Sequence, residues 1–433
     1  MNYLTAARNL VDSLDPVRLT GRVARVVGLV IEAEGISLPI GSICEVGDAR
    51  VRAECVGFRD DRALLMPLGD VRGLRRNDPV TSVPGGATVP AGPELLGRVL
   101  NALGEPIDGG PDISAGPRAP VYAFPPRAMS RQRITKPLPV GIRAIDGFAT
   151  VGAGQRLGLF SGSGVGKSLL MGMITRNTAA DVVVVALVGE RGREVKDFLE
   201  RDLGPEGRQK AVVVVATSDE PPLLRARAPF VATAIAESFR DHGKDVLLMM
   251  DSITRMANSQ REIGISAGEP PATRGYPPSV FSTMPKLLER AGRTDSGSIT
   301  GIYTVLVEGD DINEPIADTA RGILDGHIWL SRDLAQRGHY PAIDVPGSVS
   351  RLMIDLVDPA HRAAAERIRA LLSAYRAAED LISIGAYQRG SNPEVDRAIA
   401  LLDRINAFLR QSLDDRAPFD ATVAALRALT EKP

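Results

Sequence analysis

The chain has 433 residues, 44% of them apolar and 24% charged, and a formal net charge of −1. That length exceeds what one core usually supports, so two or three domains are expected. Near-neutral charge argues against a strongly basic nucleic-acid binder, and 4% aromatics leave few stacking platforms for single strands.

The two cysteines, Cys44 and Cys55, lack Cys-x-x-Cys spacing and read as buried thiols in a reducing compartment. The four histidines, His242, His327, His339 and His361, are scattered without ligand spacing. Met1 to Val17 carries no apolar h-region, and no apolar run approaches the roughly 20 residues that span a bilayer. A cytoplasmic chain is expected, at most peripheral to a membrane.

Residues 1–17 place Leu4, Ala7, Leu10, Val11 and Leu14 at helical spacing, and Pro16 ends the pattern. So short a helix needs a partner for its stripe, either its own domain or a docking surface. Residues 18–92 form a β-rich module, with runs at Leu19–Ile31, Ser42–Val46, Ala49–Phe58 and Arg62–Pro67 between glycines and charged turns. That pattern predicts a small barrel. Residues 93–350 begin with a compact element, Glu94 to Asn101, and a Gly- and Pro-rich loop from Gly104 to Pro126. Apolar runs then recur at Leu157–Phe160, Asp181–Val188, Ala211–Thr217, Val246–Met250 and Ile302–Val307. Helical patterns at Leu223–His242 and Ser279–Arg290 alternate with them, as in a mostly parallel sheet covered on both faces. Residues 351–433 are rich in Ala, Leu and Arg, with helices expected at His361–Ser383, Pro393–Ser412 and Asp420–Thr430.

Within the third unit, Ser161-Gly162-Ser163-Gly164-Val165-Gly166-Lys167-Ser168-Leu169 follows an apolar run and opens a helix. Strand, glycine-rich loop and helix are the context of a phosphate-binding P-loop. Glycines let successive N–H groups turn toward an anion, and the helix start adds unpaired donors. In this pattern Lys167 reaches the β- and γ-phosphates and the Ser168 hydroxyl binds Mg²⁺. Ser161 stands where the motif has its first glycine, which is tolerable if its φ is not forced positive.

Leu247 to Met250 end in Asp251, the arrangement by which such ATPases hold Mg²⁺ through water. Val188-Gly189-Glu190-Arg191-Gly192-Arg193-Glu194 places Glu190 at a strand end, where a carboxylate can orient and polarise an attacking water. The alternative for that segment is a self-neutralising charged turn. Arg191, Arg255 and Arg351 are arginines able to face a γ-phosphate, and the residues alone do not rank them.

Together Ser161 to Ser168, Val188 to Phe198, Asp251 to Ala257, Gly275 to Ser279, Val307 to Pro315 and Tyr340 to Asp344 resemble the flagellum-specific ATPases of bacterial type III export. That family is similar to the catalytic subunit of the rotary ATP synthase and to virulence type III secretion ATPases. The resemblance runs from about Leu19 to the C-terminal helices. It implies an N-terminal β-barrel, a RecA-like α/β P-loop core and a C-terminal helical domain. It also implies ATP and Mg²⁺ as cofactors and a homohexameric ring. By resemblance, Glu190 matches the catalytic glutamate and Asp251 the strand-end aspartate. Arg191 and Arg255 match arginines near the γ-phosphate. Arg351, in Ser348-Val349-Ser350-Arg351, matches an arginine finger acting across a subunit interface, and Tyr340 matches an aromatic near the adenine.

The implied partners are a regulatory stalk protein on the N-terminal helix, a central stalk protein, the export gate, chaperone–substrate complexes and a membrane surface. Nucleic acid is not among them. The expected activity is Mg²⁺-dependent ATP hydrolysis energising flagellar protein export at the inner-membrane export apparatus. A virulence secretion ATPase is the near alternative. A hexameric nucleic-acid translocase would need a basic barrel with exposed aromatics, and residues 19–90 hold one aromatic, Phe58. A non-catalytic ring subunit would usually lack the carboxylate at Glu190.

Overall fold

The computed structural model describes residues 18–83, 87–113, 116–307, 309, 311 and 313–430. The helix expected at 1–17 lies outside them. Six antiparallel strands open the fold: β1 (Thr20–Val27), β2 (Val30–Glu34), β3 (Ile43–Val46), β4 (Val51–Arg59), β5 (Arg62–Pro67) and β6 (Pro79–Ser82). They close into a barrel in the order β1-β2-β5-β4-β3-β6. Alternate residues point inward, so Val23, Ile31, Ala33, Cys44, Cys55 and Leu65 fill a core of their own. The run Leu19–Ile31 is two strands rather than one, because the chain reverses at Gly28 (φ 58°) and Val27 pairs with Val30. Both cysteines are buried and free; burial pushes the Cys44 thiol up to about 12.

The connection to the core is more ordered than its Gly/Pro content suggests. β7 (Thr88–Pro90) pairs antiparallel with β9 (Arg118–Pro120), and β8 (Val99–Asn101) between them joins the core sheet as an edge strand beside β12 (Ala211–Thr217). The core strands are β10 (Arg156–Ser161), β11 (Val182–Glu190), β12 (Ala211–Thr217), β13 (Asp245–Asp251), β15 (Ser298–Leu306), β16 (Gly326–Leu330) and β17 (Val349–Ser350). A short β14 (Gly292–Arg293) pairs antiparallel with the start of β15. The order is β17-β16-β10-β15-β13-β11-β12-β8, with all ladders parallel except β16–β17.

All nine residues of β11 are buried, and they divide by alternation. Val184, Ala186 and Val188 pack with the helices Pro222–Asp241, Ile253–Ala267 and Pro278–Leu288 on one face. Val183, Val185 and Leu187 pack with the helix Lys167–Asn177 and, through Phe148, with Ile368, Leu371 and Phe408 of the C-terminal helices on the other. This two-sided burial is why the strands read as unbroken apolar runs.

The C-terminal helices are Pro359–Ser383, Pro393–Leu409 and Phe419–Thr430. Asp358 and Asn392 cap the first two, each followed by Pro at the first helical position, where its missing N–H costs nothing. His361 Nε2 lies 2.9 Å from the Gly147 carbonyl, and the rings of Phe148 and Phe408 meet edge to face at 6.2 Å. Among the described residues, no helix is long and apolar enough to cross a membrane.

Candidate active site

Parallel strands bring their carboxyl ends to one edge of the sheet, which is where ligands bind in such folds. That edge carries Ser161 at the end of β10, Glu190 at the end of β11 and Asp251 at the end of β13. Ser161 is fully buried. Its φ is not among the positive ones, so the side chain is accommodated where the motif has glycine. Gly162 and Val165 turn inward and are buried, whereas Ser163 and Gly164 face solvent. Lys167, Ser168 and Leu169 form the first turn of the helix Lys167–Asn177, so the helix N-terminus opens onto the same edge.

Gly166 takes φ 88°, and a Cβ there would stand 3.2 Å from the Tyr340 ring. A side chain would therefore meet both backbone strain and the ring. Tyr340 is half exposed, and its ring lies against the loop.

The Lys167 ammonium sits 2.5 Å from Asp251 Oδ1, which also accepts a hydrogen bond of 2.8 Å from the Thr304 hydroxyl. Register explains Thr304. Met250 pairs with Tyr303, so the next residue of each strand stands side by side. A hydroxyl inside the apolar run Ile302–Val307 is the signal that could have marked it.

Glu190 is buried, and its Oε1 has no hydrogen-bond partner among the described residues. Burial, the nearby Asp251 charge and a hydrogen bond to Glu194 push its carboxyl up to about 8, against the pull of Lys167 and Arg255. Glu194 moves the other way, held low chiefly by that same hydrogen bond, so the shared proton rests on Glu190. Glu194 was legible only as part of a charged turn; its partnership needs the turn after β11.

Arg255 is placed by the helix Ile253–Ala267, whose cap Ser252 accepts the Arg255 N–H. Its guanidinium donates to the Gly189 carbonyl and lies 3.3 Å from Glu190 Oε1. Gly189 is left-handed (φ 66°), and a Cβ there would come within 3.0 Å of Arg255 Cδ. Arg191 points outward, 76% exposed, with Glu194 at 3.6 Å. It is therefore not gathered with Lys167, Glu190, Asp251 and Arg255.

Arg351 lies at the opposite edge. Ser350 pairs with Gly326 at the start of β16, whereas Ser161 pairs with Leu330 at its end. Four residue steps of strand therefore separate them, ~13 Å at about 3.3 Å per residue. The Arg351 N–H donates to the Asp325 carbonyl at 3.0 Å, and its exposed guanidinium rests 3.4 Å from the Arg321 carbonyl.

For a divalent cation, the chain offers the buried carboxylate of Asp251 and the Ser168 hydroxyl beside a helix N-terminus, a feature that suits an anion. Hard oxygen donors few in number suit Mg²⁺, which keeps waters and substrate oxygens in its shell.

Comparison with known proteins agrees with this architecture. Residues 141–350 match the nucleotide-binding domain of the ATP synthase alpha/beta family, residues 23–83 its beta-barrel domain, and residues 357–428 the T3SS EscN ATPase C-terminal domain. The chain is 49% identical over 427 residues to a flagellum-specific ATP synthase of Bacillus subtilis (strain 168), covering 97% of each. It is also 49% identical over 418 residues to a type 3 secretion system ATPase of Xanthomonas euvesicatoria, covering 96% of this chain and 95% of that one. Among solved structures, the assembled ATPase EscN in complex with its central stalk EscO, from the enteropathogenic E. coli type III secretion system, superposes with a TM-score of 0.88 at 43% identity. That match covers 94% of this chain and 99% of the EscN chain. The chain thus belongs to the ATP synthase alpha/beta family, in the branch of the flagellum-specific ATP synthases and type 3 secretion system ATPases, and it is an ATP-hydrolysing enzyme.

Proposed function

We propose that the chain hydrolyses Mg²⁺-bound ATP at the interfaces of a homohexameric ring and that this energises flagellar type III protein export. In this reading the backbone of Ser161 to Leu169 cradles the phosphates, and Lys167 leaves Asp251 for the β- and γ-phosphates. Ser168 and Asp251 hold Mg²⁺, which when bound would offset the phosphate charge. Glu190 orients the attacking water and takes its proton. Arg255 stands beside Glu190 to meet charge developing on the γ-phosphate, with Arg191 outside it. Tyr340 flanks the adenine.

The observation that carries the ring is the position of Arg351. An arginine at the far edge of the sheet cannot serve its own P-loop, yet it can face the P-loop of a copy stacked head to tail. The assembled state of EscN supports a ring, and its complex with EscO supports a central stalk partner. Further partners in this reading are a regulatory stalk protein at residues 1–17, the export gate and chaperone–substrate complexes, with the ring peripheral to the inner membrane. The corresponding units are residues 1–17, 18–92, 93–350 and 351–433. A virulence secretion role is the second reading, favoured by the equal identity to a relative of that name.

ATPase activity measured against protein concentration tests the shared site. A steep rise in specific activity over the assembly range is expected. Constant specific activity down to monomeric protein would exclude Arg351 acting across an interface.

A further inference from the structure

Between β16 and β17 the chain leaves the sheet and returns. Ser331 N–H donates to the Ala342 carbonyl at 2.8 Å, and Asp344 N–H to the Trp329 carbonyl at 2.8 Å, so residues 331–343 form a strap closed at its base. The strap touches the P-loop twice. Arg332 Nη1 lies 3.4 Å from the Ser163 carbonyl, and the Tyr340 ring lies against Gly166.

From the other side, the strap and its base are tied to the C-terminal helices. Arg337 pairs with Glu379 at 2.5 Å, and Arg376 with Asp344 at 2.9 Å. Arg376 and Glu379 are three residues apart on the helix Pro359–Ser383, so one helix face holds the strap at its middle, Arg337, and at its base, Asp344. The Tyr340 carbonyl, moreover, accepts the Gln411 N–H at 2.9 Å from the segment after the next helix. Under the strap is a cavity of about 200 Å³, lined by His339, Tyr375 and Arg410 among others. Packing between the strap and the C-terminal helices is therefore incomplete beside Tyr340, at His339, and the two ion pairs fix what close packing does not.

We propose that Arg376 and Glu379 are positioning residues for the nucleotide: they clamp the strap so that Tyr340 stands over the P-loop, and they thereby set affinity for the base side of ATP from the C-terminal domain. This rests on the reading that Tyr340 flanks the adenine. The clamp acts on the base more than on the phosphates, because Lys167 is held by Asp251, while the strap meets the loop only at Ser163 and Gly166.

The test compares binding of ATP and of inorganic tripolyphosphate, each with Mg²⁺, by the full-length chain. Each pair is partly exposed and worth up to about fivefold, so the Arg376→Gln/Glu379→Gln variant should weaken ATP binding by about three- to tenfold. Tripolyphosphate binding should stay within about twofold, since it lacks the base. Exchanging one pair's charges (Arg337→Glu with Glu379→Arg) should recover most of the affinity lost in Glu379→Arg alone, which a merely destabilised fold would not do. Equal loss for both ligands, or no loss for ATP, overturns the clamp. Tyr340→Ala separates the two layers of the argument. If it lowers ATP affinity alone while the clamp variants bind normally, the adenine reading stands and the clamp falls. If it changes neither ligand, the adenine reading falls and the clamp with it.

Discussion

At the scale of single residues, the proposed chemistry turns on the proton of Glu190. A group that draws a proton from water must be ionised, yet burial and the Asp251 charge hold this carboxyl at about 8, hydrogen-bonded to Glu194. A base whose free-enzyme value is raised becomes competent only as pH climbs through that value. The kcat/KM for ATP should therefore rise with pH through about 8 and level off above it. Glu190→Gln should bind ATP, lose about 10²–10⁴ in kcat and show no such rise. Rates measured from pH 6 to 10 check both, and retained turnover in the variant would move the water-activating role elsewhere. The strand-end positions of Glu190 and Asp251 are legible because an apolar run that stops at a carboxylate announces its own edge. Thr304 and Glu194 are not legible as their partners. One depends on inter-strand register and the other on a turn, and neither leaves a periodic trace.

At the scale of elements, the barrel is bonded to the core by a buried charge pair. Glu54 on β4 and Arg227 on the helix Pro222–Asp241 meet at 2.7 Å with side chains 7% and 3% exposed. Tyr122 donates to Glu54 at 3.0 Å, and Arg227 donates to the Ala102 carbonyl at 3.2 Å. Removing one partner strands a charge away from water, so Glu54→Ala should cost about 3–5 kcal/mol, read by thermal unfolding. Replacing both with Met should recover most of that loss, because the stranded charge goes with its partner. A small effect in the single variant would mean that water reaches the joint. Such a tie is invisible in sequence: residues 54 and 227 lie 173 positions apart and in different units. The long helices and central strands, by contrast, follow from period and run length. The short β6, β8, β14 and β17 carry too few residues for a pattern, and pairing with neighbours defines them.

At the scale of the whole molecule, the proposed ring gives each chain two halves of different sites. The carboxyl edge presents Lys167, Glu190 and Asp251; the amino edge presents Arg351. Head-to-tail stacking of identical copies brings unlike edges together and closes a ring when the rotation permits. Mixing two inactive variants tests this most directly. Glu190→Gln lacks the carboxylate but keeps Arg351, and Arg351→Ala, expected to lose about 10³ or more in kcat, keeps the carboxylate. Rings assembled from equal amounts of the two should have about a quarter of their interfaces intact, with ATPase activity recovered in proportion. Activity no greater than the sum of the separate variants would contradict a site shared between neighbours.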